Sequence, residues 1–185
     1  MLGKEVLFAL WLFWPAGIAT LLPVFAAHSP GLRTMDAPMD FGKKWRGRRL
    51  LGDHKTWRGF FAGWLGGSLW ALVMQAMYRH SADIQSIYPA SFPVDKFLLV
   101  AILISLGSVV GDAVGSFFKR QFDVPSGQSW FPYDQLDFIV GGIVLSLAIV
   151  RLPLVIYVLI LASWLVIHLI FGFLGYITHL KDAPI

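Results

Sequence analysis

The sequence predicts an all-α, polytopic membrane protein with five transmembrane helices, its N-terminus outside and its C-terminus in the cytoplasm. Three observations carry this. Of 185 residues, 57% are hydrophobic and only 14% are charged, with a mean hydropathy of +0.67. Several apolar runs reach the roughly 20 residues that a helix needs to cross a hydrocarbon core of about 30 Å. Lys and Arg gather in the connections on one side.

The spans run at about Val6–Ala27, Trp57–Tyr78, Phe97–Phe118, Leu136–Val150 and Leu152–Tyr176, the last two joined through Arg151-Leu152-Pro153. Backbone polar groups in lipid must be paired within their own segment, so each of these is a helix. The fourth is the shortest. A cleaved leader is the alternative for residues 1–27, because Lys4 precedes an apolar run ending in "VFAA". That run is longer than a leader core and contains Trp11 and Trp14. Cleavage would also require the basic loop that follows to have been translocated.

Orientation follows from eleven basic residues against four. Arg33, Lys43, Lys44, Arg46, Arg48, Arg49, Lys55 and Arg58 lie between the first two spans, Lys119 and Arg120 follow the third, and Lys181 is in the tail. The other side keeps Lys4, Arg79, Lys96 and Arg151. The first loop is thereby cytoplasmic, and its default role is to fix orientation and touch anionic headgroups. A net charge of +4 does not identify a nucleic-acid partner, and none is expected. With no cysteine, disulfides and thiolate metal sites are excluded.

Residues 1–185 form a single membrane-embedded domain, whose polar chemistry lies in cytoplasmic loops at about 28–56 and 119–135. The connection "RHSADIQSIYPASFPVDK" is an ordinary extracytoplasmic loop. The decisive stretch is "GDAVGSFFKR" (111–120), where charge interrupts a lipid-soluble run. Continued as a helix, it places Asp112, Ser116, Lys119 and Arg120 on one stripe about 100° wide. Asp134 and Asp137, spaced i, i+3, share a face at the start of the fourth span. Carboxylates at such depth cost several kcal/mol unless paired, hydrated or bound to a cation. Asp112, Asp134 and Asp137, with no cysteine beside them, suit a hard ion such as Mg²⁺ shared with substrate phosphates. Lys119 and Arg120 add positive charge for phosphate oxygens.

In "LLGDHKTWRG", His54, Lys55, Thr56 and Arg58 stand at the start of the second span. Thr56 is a helix N-cap candidate, and a helix N-terminus among basic groups attracts phosphate. The GxxxxGK[ST] loop is missing, so this is not a P-loop. His168, alone in an apolar span, is left out of the site.

"GDAVGSFFKR" followed by "GQSWFPYDQLDF" resembles the C-terminal signature of the CTP-dependent phosphatidate cytidylyltransferases: an Asp, a later Ser, Lys-Arg, then a late pair of Asp residues. The short chain and "RRLLGDHKTWRG" are closer to the archaeal branch, the CDP-archaeol synthases. The resemblance implies transfer of CMP from CTP to an isoprenoid glycerol phosphate lipid, 2,3-di-O-geranylgeranylglyceryl phosphate, with release of pyrophosphate. It implies Mg²⁺ at Asp112, Asp134 and Asp137, catalytic roles for Ser116, Lys119 and Arg120, and nucleotide contacts from the first-loop residues, at the cytoplasmic face of a multi-pass protein in contact with membrane lipids.

The Lys-Asp and Gly-His-Gly-Gly stretch of the bacterial and eukaryotic pattern is replaced here by "QFDVPSGQSWFPY", which favours the archaeal acceptor over phosphatidate. Asp123 is at the wrong spacing to stand in for the missing acid. A CDP-alcohol phosphotransferase would need DGxxAR, which is absent. An ion-coupled transporter would show an inverted repeat with broken helices near the midplane, and no repeat is visible.

Overall fold

A computed structural model describes residues 2–125 and 128–177. Lys181 and the C-terminal tail, which the charge argument places in the cytoplasm, lie outside the described residues. The chain is built of helices α1 (Leu2–Leu12), α2 (Trp14–Ala27), α3 (Trp57–His80), α4 (Ala82–Ile87), α5 (Phe97–Gln121), α6 (Tyr133–Ser146) and α7 (Leu154–Ile177). A two-stranded hairpin of β1 (Lys44–Trp45) and β2 (Arg48–Arg49) lies between α2 and α3.

Among the described residues, four segments are long and apolar enough to cross a membrane: Leu2–Ala27, Trp57–His80, Val94–Gln121 and Leu154–Leu174. The first is α1 and α2 together, interrupted at Phe13, where Pro15 in the first turn of α2 has no N–H to continue the ladder. The predicted fourth span differs. It forms 14 helical residues, Tyr133–Ser146, which at 1.5 Å per residue fall short of the hydrocarbon thickness. The helix takes in the polar Tyr-Asp-Gln ahead of the apolar run and gives way to turns at 147–149.

Helices in lipid associate by close packing rather than by exclusion from water, so small residues mark the contacts. A Cβ on Gly67 would press on Pro15 O and Ser105, and one on Gly63 on Ala19 O and Val109, which seats α3 antiparallel to α2. Gly107 meets Gly141 and Gly142, and Gly111 meets Asp137 and Gly141, which seats α6 antiparallel to α5. Phe8, Leu12, Phe13, Met74, Phe97, Ile104, Ile139 and Ile160 are buried between these elements. At the end of the bundle away from the hairpin, Trp11 Nε1 donates to Tyr88 Oη (2.8 Å) and Lys4 Nζ to Ser86 O (3.1 Å). The connection predicted as an ordinary loop therefore carries α4, and its Tyr88 and Phe92 pack in an aromatic cluster with Phe8, Tyr78 and Phe97.

Candidate active site

α5 and α6 meet at the hairpin end of the bundle. Lys119 and Arg120 occupy the last turn of α5 and Asp134 the first turn of α6, each where its charge complements the helix dipole. Asp134 Oδ2 accepts from Lys119 Nζ (2.6 Å) and from Trp130 N (2.9 Å), and Lys119 also donates to Gln128 O (2.6 Å). One turn along α6, Asp137 Oδ1 accepts from Phe138 N (2.6 Å). Its other oxygen turns toward Gly115 of α5.

The first loop closes over this end. Thr56 caps α3, its hydroxyl oxygen accepting from Gly59 N (3.2 Å), as its sequence position predicts. The residue before it, Lys55, forms an ion pair with Asp112 of α5. Lys55 is held in place by a strap: Met39 N donates to Lys55 O (2.7 Å), Trp57 N donates to Ala37 O (3.1 Å), and Pro38 bridges Thr56.

A cavity of about 290 Å³ lies between α2, α3, α5, α6 and α7. His54, Lys55, Thr56, Asp112, Asp134 and Asp137 form its polar wall, and Ala19, Pro23, Val24, Phe60, Val109 and Phe138 supply apolar wall. Three acids from two helices and three first-loop residues, predicted from separate stretches, thus face one space. His168 also lines it, with its ring 5.7 Å from that of Phe138.

Other predicted site residues lie off the wall. Ser116 is buried in α5. Arg58 is buried and pairs with Asp36 (2.8 Å). Arg120 reaches toward Gly52 and donates to Pro125 O (3.4 Å). Asp123 is exposed and paired with Arg48. Arg48 also donates to Gln121 O (2.6 Å), and Gln121 Nε2 to Arg49 O (3.3 Å), so the hairpin is tied to the end of α5.

Asp40 is the supporting residue that no spacing announces. Its fully buried carboxylate accepts from Arg49 (2.8 and 3.1 Å), Leu51 N (3.0 Å), Gly52 N (3.1 Å) and Gly42 N (3.0 Å). Burial works against charge on this group, but the Arg49 guanidinium and the three N–H groups outweigh it and hold the carboxyl well below the usual carboxylate range. The knot fixes the path between Met39 and Lys55.

Among the described residues no three acidic or histidine side chains are gathered tightly enough to grip a metal ion unaided. Asp112, Asp134 and Asp137 nevertheless offer oxygen donors to one cavity. That donor set fits a hard divalent cation completing its shell with water or phosphate oxygens.

The CarS-like CDP-archaeol synthase family profile matches residues 5–185. The CDP-archaeol synthase of Pyrococcus furiosus is 33% identical over 180 residues, covering 97% of this chain and 98% of the relative. That of Methanospirillum hungatei JF-1 is 40% identical over 156 residues, covering 80% and 89%. A solved structure of an intramembrane enzyme of archaeal membrane lipid biosynthesis superposes with a TM-score of 0.74 at 30% identity, covering 90% of this chain and 94% of that one. Sequence and fold thus agree along nearly the whole length, including the helices that carry the acidic cavity: this multi-pass membrane chain belongs to the CDP-archaeol synthase family.

Proposed function

We propose that this chain transfers CMP from CTP to 2,3-di-O-geranylgeranylglyceryl phosphate, releasing pyrophosphate and leaving a CDP-activated ether lipid in the membrane. The observation that carries the proposal is the single cavity in which Asp112, Asp134, Asp137 and Lys55 meet apolar faces of the helices. Triphosphate and lipid phosphate share its polar wall, while the two prenyl chains stay in the hydrocarbon.

An oxygen of the lipid phosphate attacks the α-phosphorus of CTP in line, the new P–O bond forms, and the bond to the β-phosphate oxygen breaks. A phosphate monoester carries most of two negative charges near neutral pH, so the nucleophile needs no general base. Catalysis is then mostly positioning and charge neutralisation. Lys55 contributes a charged N–H donor at the cavity, and the capped start of α3 directs helix N–H groups toward phosphate. Lys119 fixes Asp134. Ser116, Arg58 and Arg120 act behind the wall as positioning residues. Asp112, Asp134 and Asp137 would hold Mg²⁺, which supplies neutralisation of the triphosphate charge when bound.

The site faces the cytoplasm in this reading, with five passes and the N-terminus outside. The excess of Lys and Arg at the hairpin end supports it, as does α6 running antiparallel to α5, with the connection 147–153 completing the fifth crossing. Because the chain has no cysteine, single cysteines introduced at Arg46 and Gln85 report topology directly. A membrane-impermeant thiol reagent applied to intact cells should label only the latter, and the reverse pattern inverts the assignment.

The activity test is pyrophosphate release by the purified, detergent-solubilised protein given CTP, Mg²⁺ and the digeranylgeranyl lipid phosphate, with phosphatidate and the other three nucleoside triphosphates in parallel. Release should require CTP and the isoprenoid lipid, stop with EDTA and return with excess Mg²⁺. Folded protein that releases none with any acceptor refutes the assignment.

A further inference from the structure

The glycines of α5 are not equivalent. A Cβ on Gly107 would meet backbone of Gly141 and Gly142, and one on Gly111 would meet backbone of Asp137 and Gly141. Those two serve the close approach of α5 to α6. At Gly115 the three nearest atoms all belong to one side chain: Cβ and Cγ of Asp137, each 2.9 Å away, and Oδ2, closer still. Any residue with a side chain there would occupy the place of that carboxylate.

Gly115 lies three residues after Asp112 and four before Lys119, so the three share one face of α5. Asp112 is paired with Lys55 and Lys119 with Asp134. The Asp137 carboxylate is thus laid between two ion pairs, its Oδ1 fixed by Phe138 N and its Oδ2 lodged against Gly115. An aspartate is too short to reach around an intervening side chain when the backbones are this close.

We propose that Gly115 is a positioning residue whose missing side chain leaves a notch in α5, seating the Asp137 carboxylate between the Lys55–Asp112 and Lys119–Asp134 pairs where it serves the metal-bound nucleotide. This rests on the cytidylyltransferase reading above. Gly115 itself touches no substrate.

The test compares Gly115→Ala with Gly142→Ala in the purified full-length protein. The methyl added at Gly142 meets Phe13 (3.0 Å), Ser108 (3.1 Å) and Ile104 O (3.3 Å), a helix contact without an acid. Two quantities are read: the Mg²⁺ half-saturation of pyrophosphate release, and the Mg²⁺-dependent part of the thermal shift produced by CTP with no lipid present. Folded Gly115→Ala should raise the Mg²⁺ half-saturation at least tenfold in both, with the KM for lipid phosphate within twofold of the parent, while Gly142→Ala keeps the parental values. Parental Mg²⁺ dependence in Gly115→Ala overturns the proposal, and so does an equal rise in Gly142→Ala. If Gly115→Ala alone does not fold, the double variant Gly115→Ala/Asp137→Gly removes all three colliding atoms. Recovery of folding then supports the notch, and failure to fold overturns it. A parent protein with neither pyrophosphate release nor a Mg²⁺-dependent shift refutes the functional reading itself, an outcome distinct from failure of the notch alone.

Discussion

Lys55, in the loop before α3, is paired with Asp112 in α5, 57 residues further along the chain. The contact closes the first loop onto the helix that carries the polar stripe. It also places a positive charge beside a carboxylate at the polar wall of the cavity, so each group offsets part of the desolvation cost of the other.

Replacing Lys55 by Ala removes one charged donor from the cavity. The kcat/KM for CTP should fall by about 10²–10³-fold, the scale of losing one preorganised donor to a developing negative charge. Pyrophosphate release measured against CTP concentration checks this. A parental kcat/KM in Lys55→Ala would remove Lys55 from the nucleotide site.

Asp134, proposed above to hold the metal, also supports structure, because it accepts from both Lys119 and Trp130 N. Asp134→Ala leaves Trp130 N unmatched and Lys119 with Gln128 O but no carboxylate partner, and should lower stability by about 1.5–3 kcal/mol, the scale of a hydrogen bond to a charged group. Activity should fall with it. Asp134→Asn keeps an oxygen for Trp130 N and should recover part of the stability but not the turnover. Thermal melts in detergent alongside turnover separate the two roles.

The Asp40 knot has a defined pH signature. Its folded-state pKa lies below the unfolded value of about 3.9, so its contribution to stability is present above that value and is lost as pH falls through the folded pKa. Between pH 5 and 8 the loop should be equally resistant to trypsin. Asp40→Asn should expose the basic run at 43–49 to cleavage throughout that range and lower kcat about ten- to a hundredfold through misplacement of Lys55. Limited proteolysis across pH reads the first effect. A loop that stays uncut in Asp40→Asn would show that the knot does not hold it.

Gly107→Ala tests the α5–α6 seam away from the carboxylates. The added methyl would meet backbone atoms of Gly141 and Gly142, and overpacking of that kind costs about 1–3 kcal/mol. Gly3→Ala, with nothing within 4 Å of the new methyl, is the matched control and should melt like the parent or slightly higher, given the helix propensity of Ala.

Much of the fold is legible along the chain. α3 and α5 begin at Trp57 and Phe97, as the apolar runs predict, because hydropathy and an N-cap threonine are local signals. α6 is legible only in part. Its first turn is polar, and the turns at 147–149 are as apolar as the helix before them, so hydropathy marks neither boundary. The polar stripe was legible because Asp112, Ser116, Lys119 and Arg120 lie within nine residues of one helix. Asp40 was not, since its donors at Gly42, Arg49, Leu51 and Gly52 follow no helical or strand period. His168 looked like an interior residue of an apolar span and proved to line the cavity.

Read along the chain, the residues specify a membrane-crossing helical protein, the candidate acids and bases of the site, and the family resemblance. These depend on composition, periodicity and spacing, which act within one segment at a time. Which of those residues share a cavity, which stand behind its wall, and that Gly115 faces Asp137 emerge only when the helices pack. Such relations are fixed by how closely two helices approach and at what rotation, and that follows from side-chain volumes on both helices together rather than from either one alone.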